Sequence, residues 1–292
     1  MIPRFLARQG WTAWHAAAAL ALAAAGAWLT REAWKDIYHI ASTDTEQSHV
    51  LLVPVVAAWM FWARRLRLRN CPPGGEYIGP LAVGLGWALS WYGYHHAVQS
   101  LWHFGAVLVV LGAVLTVVGK HVLFRFLPAV AVLVFLVPVP GSVRQAVSLP
   151  LQSMGAATTH AILETFGVGV ERSGNLLTIN GINVAVAEAC NGMRMVFAVV
   201  LVSYAFAFGM PLRNSMRLVV LAASPLAALA CNIVRLIPTV LLHGHASPRV
   251  AETFHDAAGW LMLPCAFLLL LGVVRVLQWA QVPVNRYSLA YQ

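Results

Sequence analysis

The chain has 292 residues, of which 60% are hydrophobic and only 10% charged, and its mean hydropathy is +0.74. A soluble domain carries about 25% charged residues, and one water-soluble core has no room for this much apolar surface, so a soluble enzyme and a disordered chain are both excluded. The net charge of +9 does not point to nucleic acid, because the basic residues sit in short loops between apolar spans, which is how a membrane protein records its orientation. The expectation is an all-α polytopic membrane protein, with residues 1–292 as a single integral membrane domain.

Apolar runs of about 20 residues can cross a bilayer as helices. Eight are predicted, at residues 11–30, 49–63, 77–95, 99–118, 121–139, 190–210, 217–241 and 258–279. The first follows Arg4 and Arg8 and reads as an uncleaved helix rather than a signal peptide, because Trp11, Trp14, Trp28 and Trp34 bracket it as interfacial anchors. With the N-terminus in the cytoplasm, the inner face receives Arg4, Arg8, Arg64, Arg65, Arg67, Arg69, Lys120, Arg125, Arg213, Arg217, Arg275 and Arg286 of the 19 basic residues. Of the ten acids only Glu76 falls inside. Both termini are then cytoplasmic.

Residues 140–189, between the fifth and sixth spans, form the longest stretch without a spanning run. In residues 143–167, Leu151, Met154, Ile162 and Phe166 can share one helical face, which suits a helix lying in the membrane interface; a re-entrant or loop segment fits equally well. Further on, Leu176–Ile179 and Ile182–Val186 flank Asn180-Gly181, the strongest short-range hairpin signal. A small β-hairpin on the outer surface is expected, leading directly into the sixth span.

Cys190 sits where that hairpin gives way to a helix. A helix N-terminus, with Arg194 one turn later, favours the nucleophilic thiolate. Cys71 lies among cytoplasmic arginines and prolines, while Cys231 and Cys265 lie inside apolar spans where a thiolate is badly solvated; these three read as structural. A cysteine nucleophile needs a base and an oxyanion donor. The outer-face histidines are His39, His49, His95, His96, His103, His160, His243, His245 and His255, and sequence alone does not choose among them. His255 is attractive because it begins the eighth span and precedes Asp256 and Gly259, whereas His243 and His245 are read as loop residues. Arg235, near the outer end of the seventh span, is an ionisable group within an apolar helix and so a functional candidate, with Asn232 one turn before it on the same face.

These residues carry a pattern. SHVLLVP opens the second span, FLVPVP precedes PLQ, GVGVERSGNLLTI leads into EACNGMR, and NIVR and FHDAAG follow in order. The chain resembles, over roughly residues 45–270, the exosortase/archaeosortase family of membrane cysteine transpeptidase-like enzymes. The resemblance implies a catalytic Cys190, Arg235 and His255, in EACNGMR, NIVR and FHDAAG respectively. Asn191 stands where the family usually has Ser. The resemblance also implies a bacterial inner-membrane enzyme acting on exported proteins with a C-terminal sorting motif, often Pro-Glu-Pro, then a transmembrane helix and a basic cluster. It would cleave that tail at the outer face and pass the protein to a lipid or other envelope acceptor. Glu188, Asn232 and Arg194 are the expected supporting residues. No cofactor, metal or nucleic-acid partner is indicated. Two other classes fit less well: a multi-span transporter for metal or haem using His243, His245, Glu252 and His255, and a non-catalytic assembly factor for envelope polysaccharide.

Overall fold

The computed structural model describes residues 10–74, 77–186 and 192–279. The chain clusters into two units, divided in sequence between Pro140 and Gly141. In the first, the Ala-rich run folds as α1 (Ala13–Leu29) and turns by 80° into α2 (Arg31–Thr43). Thr30 holds the corner: its hydroxyl donates to the Gly26 carbonyl at 2.8 Å and accepts from Trp34 Nε1 at 3.0 Å. The apolar-run reading has no helix at α2, because Glu32, Lys35 and Asp36 interrupt it. That helix is instead amphipathic, burying Ala33, Ile37 and Ala41 at four-residue spacing.

The predicted second span is a 3-10 stretch (Thr45–Leu52) followed by α3 (Val53–Ala63). At 11 residues that α-helix is about 17 Å long, short of the roughly 30 Å hydrocarbon core. A second 3-10 stretch, Arg65–Asn70, carries the arginine run. Then α4 (Ile78–His95) and α5 (Gln99–Arg125) form a tightly packed pair. Gly79, Gly86 and Gly93 on α4 recur every seven residues, as do Gly105, Gly112 and Gly119 on α5. A β-carbon at Gly86 would lie 2.8 Å from the Gly105 carbonyl oxygen, and one at Gly112 2.7 Å from Val83 N. Small residues at regular spacing let membrane helices approach this closely.

Gly119 has φ 74° and ψ 175°, so the segment is two helices joined at a kink. The predicted boundary between the fourth and fifth spans falls there. The predicted fifth span is not one helix: after Arg125 come α6 (Leu127–Ala131) and a 3-10 stretch (Val132–Leu136), stopped before Pro138. Gln47 ties this exit to the first 3-10 stretch. Its Nε2 donates to Val139 O at 3.3 Å and its Oε1 accepts from Val139 N at 2.8 Å.

The second unit opens with α7 (Gly141–Thr165), in the segment for which an interfacial helix was one expectation. Its buried residues are Gly155, Ala156, Thr159 and Leu163, whereas Met154 and Phe166 are exposed. The predicted hairpin is present as β2 (Leu176–Ile179) and β3 (Ile182–Ala185), with Ile179 opposite Ile182. Asn180 and Gly181 have φ of 50° and 76°, the two positive values that a type I′ turn demands. A third strand, β1 (Glu171–Ser173), was not foreseen; it pairs antiparallel with β2 through a turn at Gly174.

The rest is helical: α8 (Gly192–Gly209), α9 (Asn214–His245) and α10 (Pro248–Trp279). Pro225 cannot donate to the Leu221 carbonyl, and the Ser224 hydroxyl does so instead, at 2.8 Å. Contrary to the loop reading, His243 and His245 lie in the last turn of α9. Likewise α10 begins ten residues before the predicted eighth span, because Ser247-Pro248 is a strong helix start even though the next turns are polar. The axis of α10 bends by 45° between Pro248–Gly259 and Pro264–Leu277, at the proline. Among the described residues two helices, Gln99–Arg125 and Asn214–His245, are by themselves long and apolar enough to cross a membrane, or up to five if each bent pair is one span.

Candidate active site

The candidate site is built on the C-terminal half of α9. One apolar cluster, Ala156, Leu163, Val170, Leu177, Ile179, Val184, Val186, Leu236 and Val240, fastens the three-stranded sheet to α7 and α9. The turn of the hairpin is pinned as well: Asn180 Nδ2 donates to Gly244 O at 2.9 Å, and a β-carbon at Gly244 would lie 2.8 Å from Ile179. Towards α7, Asn175 Nδ2 donates to Gln152 Oε1 at 3.1 Å and Arg172 Nη2 to Ser153 Oγ at 3.2 Å. The sheet is therefore a rigid lead-in to the EACNGMR segment, which begins two residues after the buried Val186.

Arg235 and Asn232, adjacent in the sequence reading, are brought together. Each is 7% exposed, and Arg235 Nη2 donates to Asn232 Oδ1 at 3.3 Å. One turn on, the wholly buried Thr239 donates its hydroxyl to the Arg235 carbonyl at 2.8 Å. The far side of the guanidinium faces α10. A β-carbon on Gly259 would meet Arg235 Nη1 at 3.4 Å. His255 lies four residues before Gly259 in the same helix, and positions four apart share a helical face. Gly259 is thus a contact that spacing along one helix does not reveal, since it depends on how α9 and α10 pack.

Cys190 and Glu188 lie outside the described residues, as does Asn191. Arg194 is in the first turn of α8 and His255 in α10; their side chains also lie outside the described residues.

The other histidines are engaged elsewhere. His103 is fully buried with Nε2 2.9 Å from Asp36 Oδ2, and His49 is buried with Nδ1 3.3 Å from Glu46 O. His95 stacks on Trp91 and His96 on Tyr92, and His39 is exposed on α2. His160 lies 3.5 Å from Glu164 on α7. His243 and His245 direct Nδ1 to the Thr239 and Leu241 carbonyls, at 2.8 and 3.1 Å. Among the described residues, no group of three or more His, Cys, Asp or Glu is placed to hold a metal ion.

Of the remaining cysteines, Cys71 and Cys231 are buried and Cys265 is exposed. The Cys71 Sγ lies 3.5 Å from Arg67 O and 3.7 Å from His121 O. Burial pushes its thiol pKa up, against a smaller opposing pull from Arg125, which disfavours a nucleophilic role.

A family model described as transmembrane exosortase (Exosortase_EpsH) matches residues 34–272. No curated protein and no solved structure matches the chain.

Proposed function

The chain belongs to the transmembrane exosortase family, and from that premise we propose that it is a membrane cysteine transpeptidase acting on the C-terminal sorting tails of exported proteins. The observation that carries this reading is the buried Arg235 guanidinium, held by Asn232 and lying against Gly259, one helical turn from His255. A buried cation within an apolar helix is costly to keep. It is useful where negative charge develops during acyl transfer.

In this reading the Cys190 thiolate attacks a peptide carbonyl of the substrate. The sequence pattern sets Cys190 at a helix N-terminus with Arg194 one turn later, which favours the anion. The C–S bond forms and the carbonyl electrons move onto oxygen. Arg235 donates hydrogen bonds to that oxyanion. As the intermediate collapses the C–N bond breaks, and His255 gives its proton to the leaving amine. The acceptor then attacks the thioacyl-enzyme, loses its proton to His255, and expels the thiolate. A lipid or envelope nucleophile gives transfer; water gives hydrolysis. Glu188 steadies Arg194 or Arg235, so Glu188→Gln should lower the processing rate, and a fully active variant removes Glu188 from the scheme.

The same reading has eight spans, both termini in the cytoplasm of a bacterial cell and the site at the outer face of the inner membrane. The arginine-rich inner loops support that orientation. A substrate whose basic cluster stays inside would then present its sorting motif beside Cys190. Hydroxylamine tests the thioacyl step, because it attacks thioesters. Added to purified enzyme and a tailed reporter, it should convert the new reporter C-terminus to a hydroxamate, visible by mass. An unchanged product at high hydroxylamine would refute a thioacyl intermediate.

A further inference from the structure

The first unit contains a cavity of about 370 Å3 with no role in the chemistry above. Its walls are aliphatic and aromatic, and include Trp11, Ala58, Leu68, Val118, Val122 and Leu123. One end is tied together by Cys71. Trp11 Nε1 donates to the Cys71 carbonyl at 2.7 Å, and the Cys71 thiol lies against the carbonyls of Arg67 and His121. These contacts hold the Arg65–Asn70 stretch beside Lys120 and His121 of α5.

The charges at that end follow directly. Arg67 and Arg69 flank the lining residue Leu68, and Lys120 and Arg125 bracket Val122 and Leu123. Arg69, Lys120 and Arg125 are exposed and Arg67 is half-buried. Arg65 stacks over Trp62 at 4.1 Å, an arrangement suited to the headgroup level of a bilayer. An apolar cavity with four cations at one end matches a molecule with a hydrocarbon chain and an anionic head.

We propose that this is a binding site for an anionic phospholipid, one acyl chain occupying the cavity and the phosphate lying among Arg67, Arg69, Lys120 and Arg125. Guanidinium groups take phosphate oxygens in pairs, and basic pockets between membrane helices are suited to anionic headgroups. A soluble phosphate would leave the apolar cavity unused.

The test is native mass spectrometry of the full chain in neutral detergent, given equal amounts of phosphatidylglycerol and phosphatidylcholine with the same acyl chains. Phosphatidylglycerol should be retained over phosphatidylcholine by about tenfold or more. Arg67→Gln with Arg69→Gln should abolish that preference. Ala58→Phe, which fills the cavity from its exposed side, should lower retention of both lipids without lowering the melting temperature. If the arginine pair variant does not fold, Lys120→Gln with Arg125→Gln repeats the test on two exposed side chains. Equal retention of the two lipids, a preference that survives loss of the cations, or undiminished binding in Ala58→Phe would each overturn the proposal.

Discussion

Replacing Arg235 with alanine is expected to slow processing of a tailed reporter by about 10²–10³-fold, the usual cost of losing one oxyanion donor. The guanidinium is 7% exposed and anchored on Asn232, so its direction is fixed before substrate arrives. Lysine keeps the charge but not the planar fork of donors, and Arg235→Lys should recover only part of the rate. Asn232→Ala should fall between these and wild type, because it loosens the guanidinium without removing it. Rates are compared per folded molecule, using monodisperse protein recovered in detergent, so that loss of a buried side chain is not mistaken for loss of catalysis. Wild-type processing by Arg235→Ala would remove this residue from the chemistry.

The second large effect concerns folding. Gly105→Val should abolish recovery of folded protein. A β-carbon at Gly105 would lie 2.5 Å from the Gly86 carbonyl oxygen, and the Ser90 backbone nitrogen is in the way as well. Backbone atoms of a neighbouring helix cannot rotate aside as a side-chain tip can, so α4 and α5 must separate. Overpacking of this kind costs about 1–3 kcal/mol when the surroundings can yield, and more is expected here. Gly84→Ala is the matched control. It lies on α4, the helix against which Gly105 packs, with nothing within 4 Å of the added carbon, and alanine is a better helix former by about 1 kcal/mol. Thermal melting followed by size-exclusion chromatography should show Gly105→Val lost and Gly84→Ala at or above wild type. Equal melting of the two would contradict the close α4–α5 packing.

Much of the hairpin was legible in the sequence, because Asn180-Gly181 between two β-rich runs dictates a turn with positive φ at both positions. The Asn232–Arg235 pair was legible for a similar reason, since three residues along a helix bring side chains to one face. Helix α2 was not, because an apolar-run search passes over an amphipathic helix with Glu32, Lys35 and Asp36 on it. Nor was the true start of α10, whose first turns carry Glu252, Thr253, His255 and Asp256. The gap between the fourth and fifth predicted spans coincides with the kink at Gly119, but the break after Arg125 escapes a search that scores hydropathy without backbone dihedrals. The heptad glycines were visible as letters, but their meaning depends on α4 and α5 lying side by side. Gly259 against Arg235 belongs to the same class: a tertiary contact between helices distant in sequence.

The most direct measurement co-expresses the chain with an exported reporter bearing a sorting motif, a transmembrane helix and a basic cluster. Wild type and Cys190→Ala are run side by side, and the mass of the reporter is read. A shortened reporter is expected with wild type alone, its new C-terminus carrying an acceptor or a free carboxylate. Equal shortening by Cys190→Ala would show that this cysteine is not the nucleophile and would contradict the mechanism.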